Sequence, residues 1–240
     1  FLGEQHGDPA THRLELALLK ALHAAVGPRL VLSLEMFERD VQPHLDAYLA
    51  GRIPESEFLA KSRPWPNYPA DYRPLVEFAK ENGLRVLASN VPRRLASQVA
   101  KQGLESLEGL APAERAFAAA EVDCPLGRLF ERFKETMQGH PGLSETDITR
   151  MYVAQCLKDA TMAESIAKIL TNTEGPRPLV FHVNGAFHSD EGLGVPDQLL
   201  KRSPSLSLAV TTVVPAAQTE ADPREGLADV VFMVQREKKE

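Results

Sequence analysis

Residues 29–37 read RLVLSLEMF, an almost unbroken apolar run interrupted only by Ser33 and Glu35. A strand with one face in water alternates polar and apolar residues. A run that is apolar at nearly every position belongs to a strand covered on both faces, as in a parallel sheet. The flanking sequence has the order that such a sheet requires. Upstream, DPATHRLELALLKALHAAVG (8–27) predicts a helix, with Pro9 in the first turn, Leu14, Ala17, Leu18, Ala21 and Leu22 as its apolar stripe, and Gly27-Pro28 as its stop. Before it, FLGEQH (1–6) reads as the end of a strand. Phe1 and Leu2 are too few to make a whole strand, so further residues are expected before them, where a signal peptide or a lipid-attachment cysteine would lie.

Downstream, RDVQPHLDAYLAG (39–51) predicts a helix, followed by the aromatic connector RPWPNYPADYRP (63–74). A helix around LVEFAKENG (75–83) leads to a second buried strand, LRVLASNVP (84–92). Residues 93–172 carry no strand pattern and read as a helical insertion or cap. The sheet resumes at RPLVFHVNGAFH (177–188), passes a short helix at VPDQLLKR (195–202), and ends in SLSLAVTTVVP (205–215) and ADVVFMVQ (228–235). The expected architecture is α/β: an open, largely parallel sheet flanked by helices, with residues 1–92 and 173–240 as the core domain and 93–172 as the cap.

Composition narrows the function. Of 240 residues, 43% are hydrophobic and 25% charged, ordinary for a globular chain. A net charge of −6 without a basic run argues against nucleic-acid binding. The charge-dense REKKE at the C-terminus reads as an exposed tail. No stretch of 18 apolar residues is present. Cys124 and Cys156 form no CxxC pair and read as buried or incidental thiols, with a disulfide between them left open.

In an open parallel sheet the ligand site lies at the carboxyl ends of the strands. That rule gathers Glu4 and His6 from the first strand, Glu35 from the second, Asn90 and Arg93 after the third, and His182, Asn184 and His188 from the fourth. Two motifs echo each other there: GEQH (3–6) and GAFH (185–188). In each, a glycine allows a tight turn or close approach, and a histidine offers a nitrogen for metal ligation or proton transfer. Glu35 closes an apolar strand and is either a site carboxylate or an anion at the following helix N-terminus. His12 is either a supporting residue of the rim or a surface residue. His182 alternates within a strand and reads as a hydrogen-bonded core histidine, while His23, His44 and His140 read as surface residues. The connector's Trp65, Tyr68 and Tyr72 are either packing anchors or an aromatic wall suited to a flat apolar ligand, with a phenol able to meet ferric iron.

Taken together, FLGEQHGDPATH, VLSLEMFERDVQPHLDAYLAG, WPNYPADYRPLVEFAKENGLRVLASNVPR and VNGAFHSDEGLGVPDQL resemble the ChaN-like haem-binding family, a relative of the erythromycin esterases and of the TraB and Tiki group. The resemblance covers nearly the whole chain apart from the helical middle and the tail. It implies a haem-binding lipoprotein of the bacterial envelope that acts in haem and iron uptake, with haems bound at a homodimer interface. It also implies exchange with an outer-membrane haem receptor or a periplasmic carrier. Iron would be ligated by Tyr68 or Tyr72, with Tyr152 as a further candidate; Trp65 and His12 complete the expected cofactor residues. The hydrolytic relatives imply an alternative. There His6 is the base or a ligand of a divalent metal, and His188 a ligand or the acid; Glu4 and Glu35 orient or ligate, and Arg93 stabilises developing negative charge.

Overall fold

The computed structural model describes residues 1–138, 142–171, 175–216 and 226–235. Six strands form one sheet: β1 (Leu2–Glu4), β2 (Leu30–Glu38), β3 (Arg85–Asn90), β4 (Leu179–Gly185), β5 (Thr211–Pro215) and β6 (Val230–Val234). Their order is β3-β2-β4-β1-β5-β6, and every pairing is parallel. The parallel sheet expected from the apolar runs is therefore the one observed.

The helices are α1 (Pro9–Val26), α2 (Gln42–Leu49), α3 (Glu55–Ser62), α4 (Tyr68–Asp71), α5 (Arg73–Glu81), α6 (Arg93–Gln102), α7 (Pro112–Arg115), α8 (Arg128–Met137), α9 (Glu145–Thr171) and α10 (Val195–Arg202). They cover both faces of the sheet. Leu30, Leu32 and Leu34 of β2 join Leu19, Leu45, Leu75 and Val76 in the larger core. Val31 and Leu87 point the other way, into Met162, Ala163 and Ile166 of α9 and Leu199 of α10. Alternate residues of one strand thus enter two cores, which is why RLVLSLEMF carries almost no polar position. The long helix of the 93–172 stretch forms part of the layer over the sheet. Arg39, just past β2, clamps it by donating to Ser165 Oγ (2.7 Å), Glu164 Oε1 (3.0 Å) and the Thr161 carbonyl (2.7 Å).

Several local expectations need correction. Cys124 and Cys156 are a disulfide rather than thiols, tying the 121–127 segment to α9. Ala17 and Ala21 of α1 are exposed, and the fully buried line is Thr11, His12, Glu15 and Leu19. Helix α1 turns polar groups of its first two turns under the β1 tip, and this displaces the apolar stripe. Gly3 makes no turn: it lies within β1, where a Cβ would stand 3.0 Å from both Ala186 Cα and Ser189 Oγ. The turn falls at Gly7, whose φ of +69° suits glycine. His140 and the REKKE tail lie outside the described residues.

Candidate functional site

Register brings the two Gly-x-x-His motifs together. Glu4 of β1 pairs with Gly185 of β4, so GEQH and GAFH leave neighbouring strands side by side. On β2 the pairing with β3 shifts between Leu34 and Glu38. The strand runs on to Glu38 instead of ending at Glu35, and this irregularity re-aims the Glu35 carboxylate into the rim. Asn90 Nδ2 donates to the Glu35 carbonyl (3.1 Å), and Asn184 Nδ2 donates to the Gly185 carbonyl (2.9 Å) and Ser189 Oγ (3.0 Å). These two asparagines hold the backbone from which the site projects.

Each motif histidine has the same arrangement. His6 Nδ1 pairs with Glu4 Oε1, and His188 Nδ1 with Asp159 Oδ1 at 2.5 Å. His188 Nε2 faces the Glu35 carboxylate, which also holds the backbone N–H beneath His6. His188 Nε2 lies 3.5 Å from Glu35 Oε1, and Glu35 Oε2 accepts from the Gly185 N–H at 2.7 Å. His6 Nε2 lies directly over Gly185, 2.7 Å from where a Cβ would stand. Glycine at 185 therefore makes room for the other motif's imidazole. His6 is half-exposed, with a side-chain accessibility of 46%, whereas Glu4, Glu35, Asp159 and His188 are buried.

Charge follows geometry. Burial opposes charge on His6, but its hydrogen bond to Glu4 and the charges of Glu4 and Glu35 outweigh this and raise its pKa. Burial likewise opposes charge on His188, and Glu35 and Asp159 push its pKa up. Burial also works against the Glu4 carboxylate; hydrogen bonds from His6 and Glu15 win and hold it below its usual range. Asp159 is raised by burial, with His188 pulling the other way. Two imidazoles, each oriented at Nδ1 by a buried carboxylate, with Glu35 beside Nε2 of His188, can position a base or offer ligands to a divalent metal.

Behind His6 lies a second layer. Glu4 Oε1 accepts from the Tyr72 hydroxyl at 2.7 Å. His12 is buried, not a surface residue, with Nδ1 3.0 Å from Glu15 Oε2 and Nε2 3.2 Å from Asp71 Oδ2. Trp65 packs edge-on against His6 and Tyr72, with ring centres 5.0 and 5.9 Å apart. Tyr68 is buried among Phe37 and Phe58, its hydroxyl without a partner. Tyr152 donates to the Pro125 carbonyl at 2.9 Å. Arg93 is exposed at the start of α6 and makes no hydrogen bond or ion pair among the described residues. His182 is a core histidine, with Nδ1 2.8 Å from Ser33 Oγ.

Residue-by-residue reading missed Asp159, Glu15 and Asp71. Asp159 carried a signal, because it lies on one helical stripe with Tyr152, Cys156, Ala163 and Ile166. An acid on an apolar stripe requires a buried partner. Glu15 sits likewise one turn ahead of Leu19.

Comparison with known proteins then places the chain. A family model described as "Haem-binding uptake, Tiki superfamily, ChaN" matches residues 1–199. The chain belongs to this family. Its fold is similar to that of ChaN of Campylobacter jejuni, in a structure described as cofacial heme binding. The two are 16% identical with a TM-score of 0.66, over 95% of this chain and 84% of that one. In sequence it is similar to protein RETICULATA-RELATED 5, chloroplastic, of Arabidopsis thaliana, 25% identical over 237 residues. That match takes in 91% of this chain and 31% of the plant protein, so the chain spans about a third of that relative's length. The family match takes in both Gly-x-x-His motifs and the aromatic connector, and stops before β5.

Proposed function

We propose that this chain binds haem and acts in haem or iron uptake. Membership of a haem-binding uptake family over residues 1–199 carries the proposal. The rim's donor chemistry fits such a ligand: phenol and imidazole can meet iron, and the indole of Trp65 suits a flat apolar ring. The cavity described at this end of the sheet is too small to hold it. The cavity beside Asp159, lined by Tyr152, Cys156 and Gly194, has about 80 Å³, below the roughly 300–1,000 Å³ of pockets for drug-sized ligands. A larger cavity of about 560 Å³, lined by Phe1, Leu179, Leu199 and Leu208, lies at the amino ends of the strands. Haem would therefore lie on the open face beside Trp65 and His6, with a second copy of the chain as its other wall.

Both expected ligands are fully buried; Tyr72 is the better placed because it touches Trp65 and its hydroxyl reaches Glu4 beside His6, whereas Tyr68 lies among phenylalanines. Burial and the Glu4 charge push the Tyr72 phenol far above its usual range, so iron ligation requires its hydroxyl to leave Glu4. The same proposal includes a lipid-anchored location in the bacterial envelope and exchange with an outer-membrane haem receptor or periplasmic carrier. Hemin titration followed by Soret absorption and size-exclusion chromatography tests the core of it. A wild-type chain that gives neither a Soret shift nor a larger species would end the haem proposal. Equal ligation in Tyr72→Phe and wild type would end the tyrosine assignment alone.

A second function is favoured by one observation, the two Nδ1-anchored histidines side by side at the rim, with Glu35 next to His188. In this alternative His6 and His188 hold a divalent metal, or His6 acts as base on a water. Glu4 and Asp159 orient them, Glu35 ligates or orients, and Arg93 meets developing negative charge. Metal analysis with an esterase and peptidase panel on wild type and His6→Ala tests it. Equal background rates in both would remove hydrolysis.

A further inference from the structure

On the side of Glu4 turned away from His6, three buried donor atoms converge. Glu4 Oε2 lies 3.6 Å from His12 Nδ1, and His12 Nδ1 lies 3.0 Å from Glu15 Oε2. One donor atom from each residue falls within 4.8 Å of the other two. Their residues are 2%, 6% and 0% exposed. Glu4 Oε2, the oxygen that faces His12, accepts from no N–H or hydroxyl group, and neither does Glu15 Oε1; a carboxyl proton shared between Glu15 and Glu4 is the partner that an ion would replace. Two carboxylates this deeply buried need a compensating positive charge or a proton at close range.

The two His12 spacings fall in the range of a coordination shell, the 3.0 Å one being a hydrogen bond to Glu15 in this structure. Metal–ligand bonds of about 2.0–2.2 Å set neighbouring donor atoms roughly 3.0–3.6 Å apart around one ion. Glu4 and His12 are also held from behind. Glu4 Oε1 accepts from Tyr72 and pairs with His6. His12 Nε2 lies 3.2 Å from Asp71 Oδ2, and Asp71 accepts from Asn67 Nδ2 at 2.7 Å. A carboxylate on the far nitrogen of a ligating imidazole fixes its tautomer and ring orientation.

We propose that Glu4, His12 and Glu15 form a site for a divalent transition-metal ion, separate from the His6–Glu35–His188 group. One imidazole and two carboxylates suit Zn²⁺, Mn²⁺ or Fe²⁺. The ion cross-links the tip of β1 to the first two turns of α1. It also fixes the Glu4 carboxylate that orients His6. With Nδ1 on the metal, the imidazole proton sits on Nε2. That nitrogen then donates to Asp71, and the Gly7 N–H now 3.1 Å from it gives up its acceptor. The site depends on neither haem binding nor hydrolysis.

The test uses chelator-treated full chain titrated with zinc or manganese chloride by calorimetry, on wild type, Glu15→Gln and His6→Ala. The expected result is one equivalent that survives in His6→Ala, weakens at least tenfold in Glu15→Gln, and raises the thermal midpoint. X-ray absorption on zinc-loaded His6→Ala is expected to show a single imidazole in the shell. This measurement decides the matter even if Glu15→Gln does not fold. No binding of either metal with an unchanged midpoint would overturn the site, leaving a proton on Glu15 as what neutralises the cluster. Loss of the equivalent in His6→Ala, or a shell with two imidazoles in wild type and none in His6→Ala, would overturn it in favour of the rim histidines.

Discussion

His188 and Asp159 meet through Nδ1 and Oδ1 at 2.5 Å, although one follows β4 and the other lies in the middle of α9. Asp159 Oδ2 makes no hydrogen bond, so the pairing with His188 is what compensates this buried carboxylate. Removing one member of a buried pair leaves the other charge stranded. Asp159→Ala is expected to cost about 3 kcal/mol of folding stability, measured by urea unfolding. A loss no larger than that of an exposed control such as Glu145→Ala would show that the pair is not coupled.

Gly185 carries a steric prediction. Its φ of −55° is open to any residue, yet a Cβ would lie 2.7 Å from His6 Nε2 and 2.9 Å from Cε1. Gly185→Ala should keep the fold and displace the His6 ring, with a cost of about 1–3 kcal/mol. Whatever binds through His6 should bind more weakly. Unchanged histidine resonances of His6 in an NMR spectrum of the variant would refute the contact.

The two connector tyrosines should respond in opposite ways to loss of the hydroxyl. Tyr72 donates to an anionic carboxylate, so Tyr72→Phe is expected to cost about 1.5–3 kcal/mol. The Tyr68 hydroxyl is buried without a partner, and Tyr68→Phe should be neutral or stabilising. Chemical denaturation of both variants measures the difference, and equal losses would contradict the hydrogen-bond assignment.

Acid should expose the cost of burying His182. Burial, helped by the charges of the N-terminal amine and His188, lowers its pKa from 6.5 to about 3. Between those values the unfolded chain binds the proton and the folded chain does not. Stability therefore rises with pH across this window and falls on acidification, by about 1.4 kcal/mol per pH unit from this group. His6 and His188 act in the opposite sense, because their pKa values are raised and their contribution is lost as pH increases past them. The difference between wild type and His182→Gln isolates the first effect: the variant's stability should fall less steeply from pH 6.5 to 4. Parallel curves would exclude it.

The disulfide closes a loop of 32 residues. Loop-closure entropy of that length is worth about 3–4 kcal/mol. A Cys124→Ser/Cys156→Ser double variant should melt at a lower temperature by the corresponding amount, and dithiothreitol should shift only the wild type. A reduced wild type that melts like the oxidised form would show that the crosslink does not contribute.

The apolar runs alone specify the sheet and the end at which chemistry collects. Doubly covered strands cannot afford polar positions, so RLVLSLEMF and its companions announce a parallel sheet, and a parallel sheet presents its strand ends as one rim. His6, Glu35 and His188 were legible for that reason. Which groups complete the rim depends on how the helices dock. Asp159 reaches His188 because Arg39 and the α9 core seat that helix over the sheet, and Glu15 reaches Glu4 because α1 docks its polar first turns under the β1 tip. Such partnerships join residues far apart in the chain, and no local period encodes them. They depend on the register of one strand against another and on the rotation of each helix about its own axis.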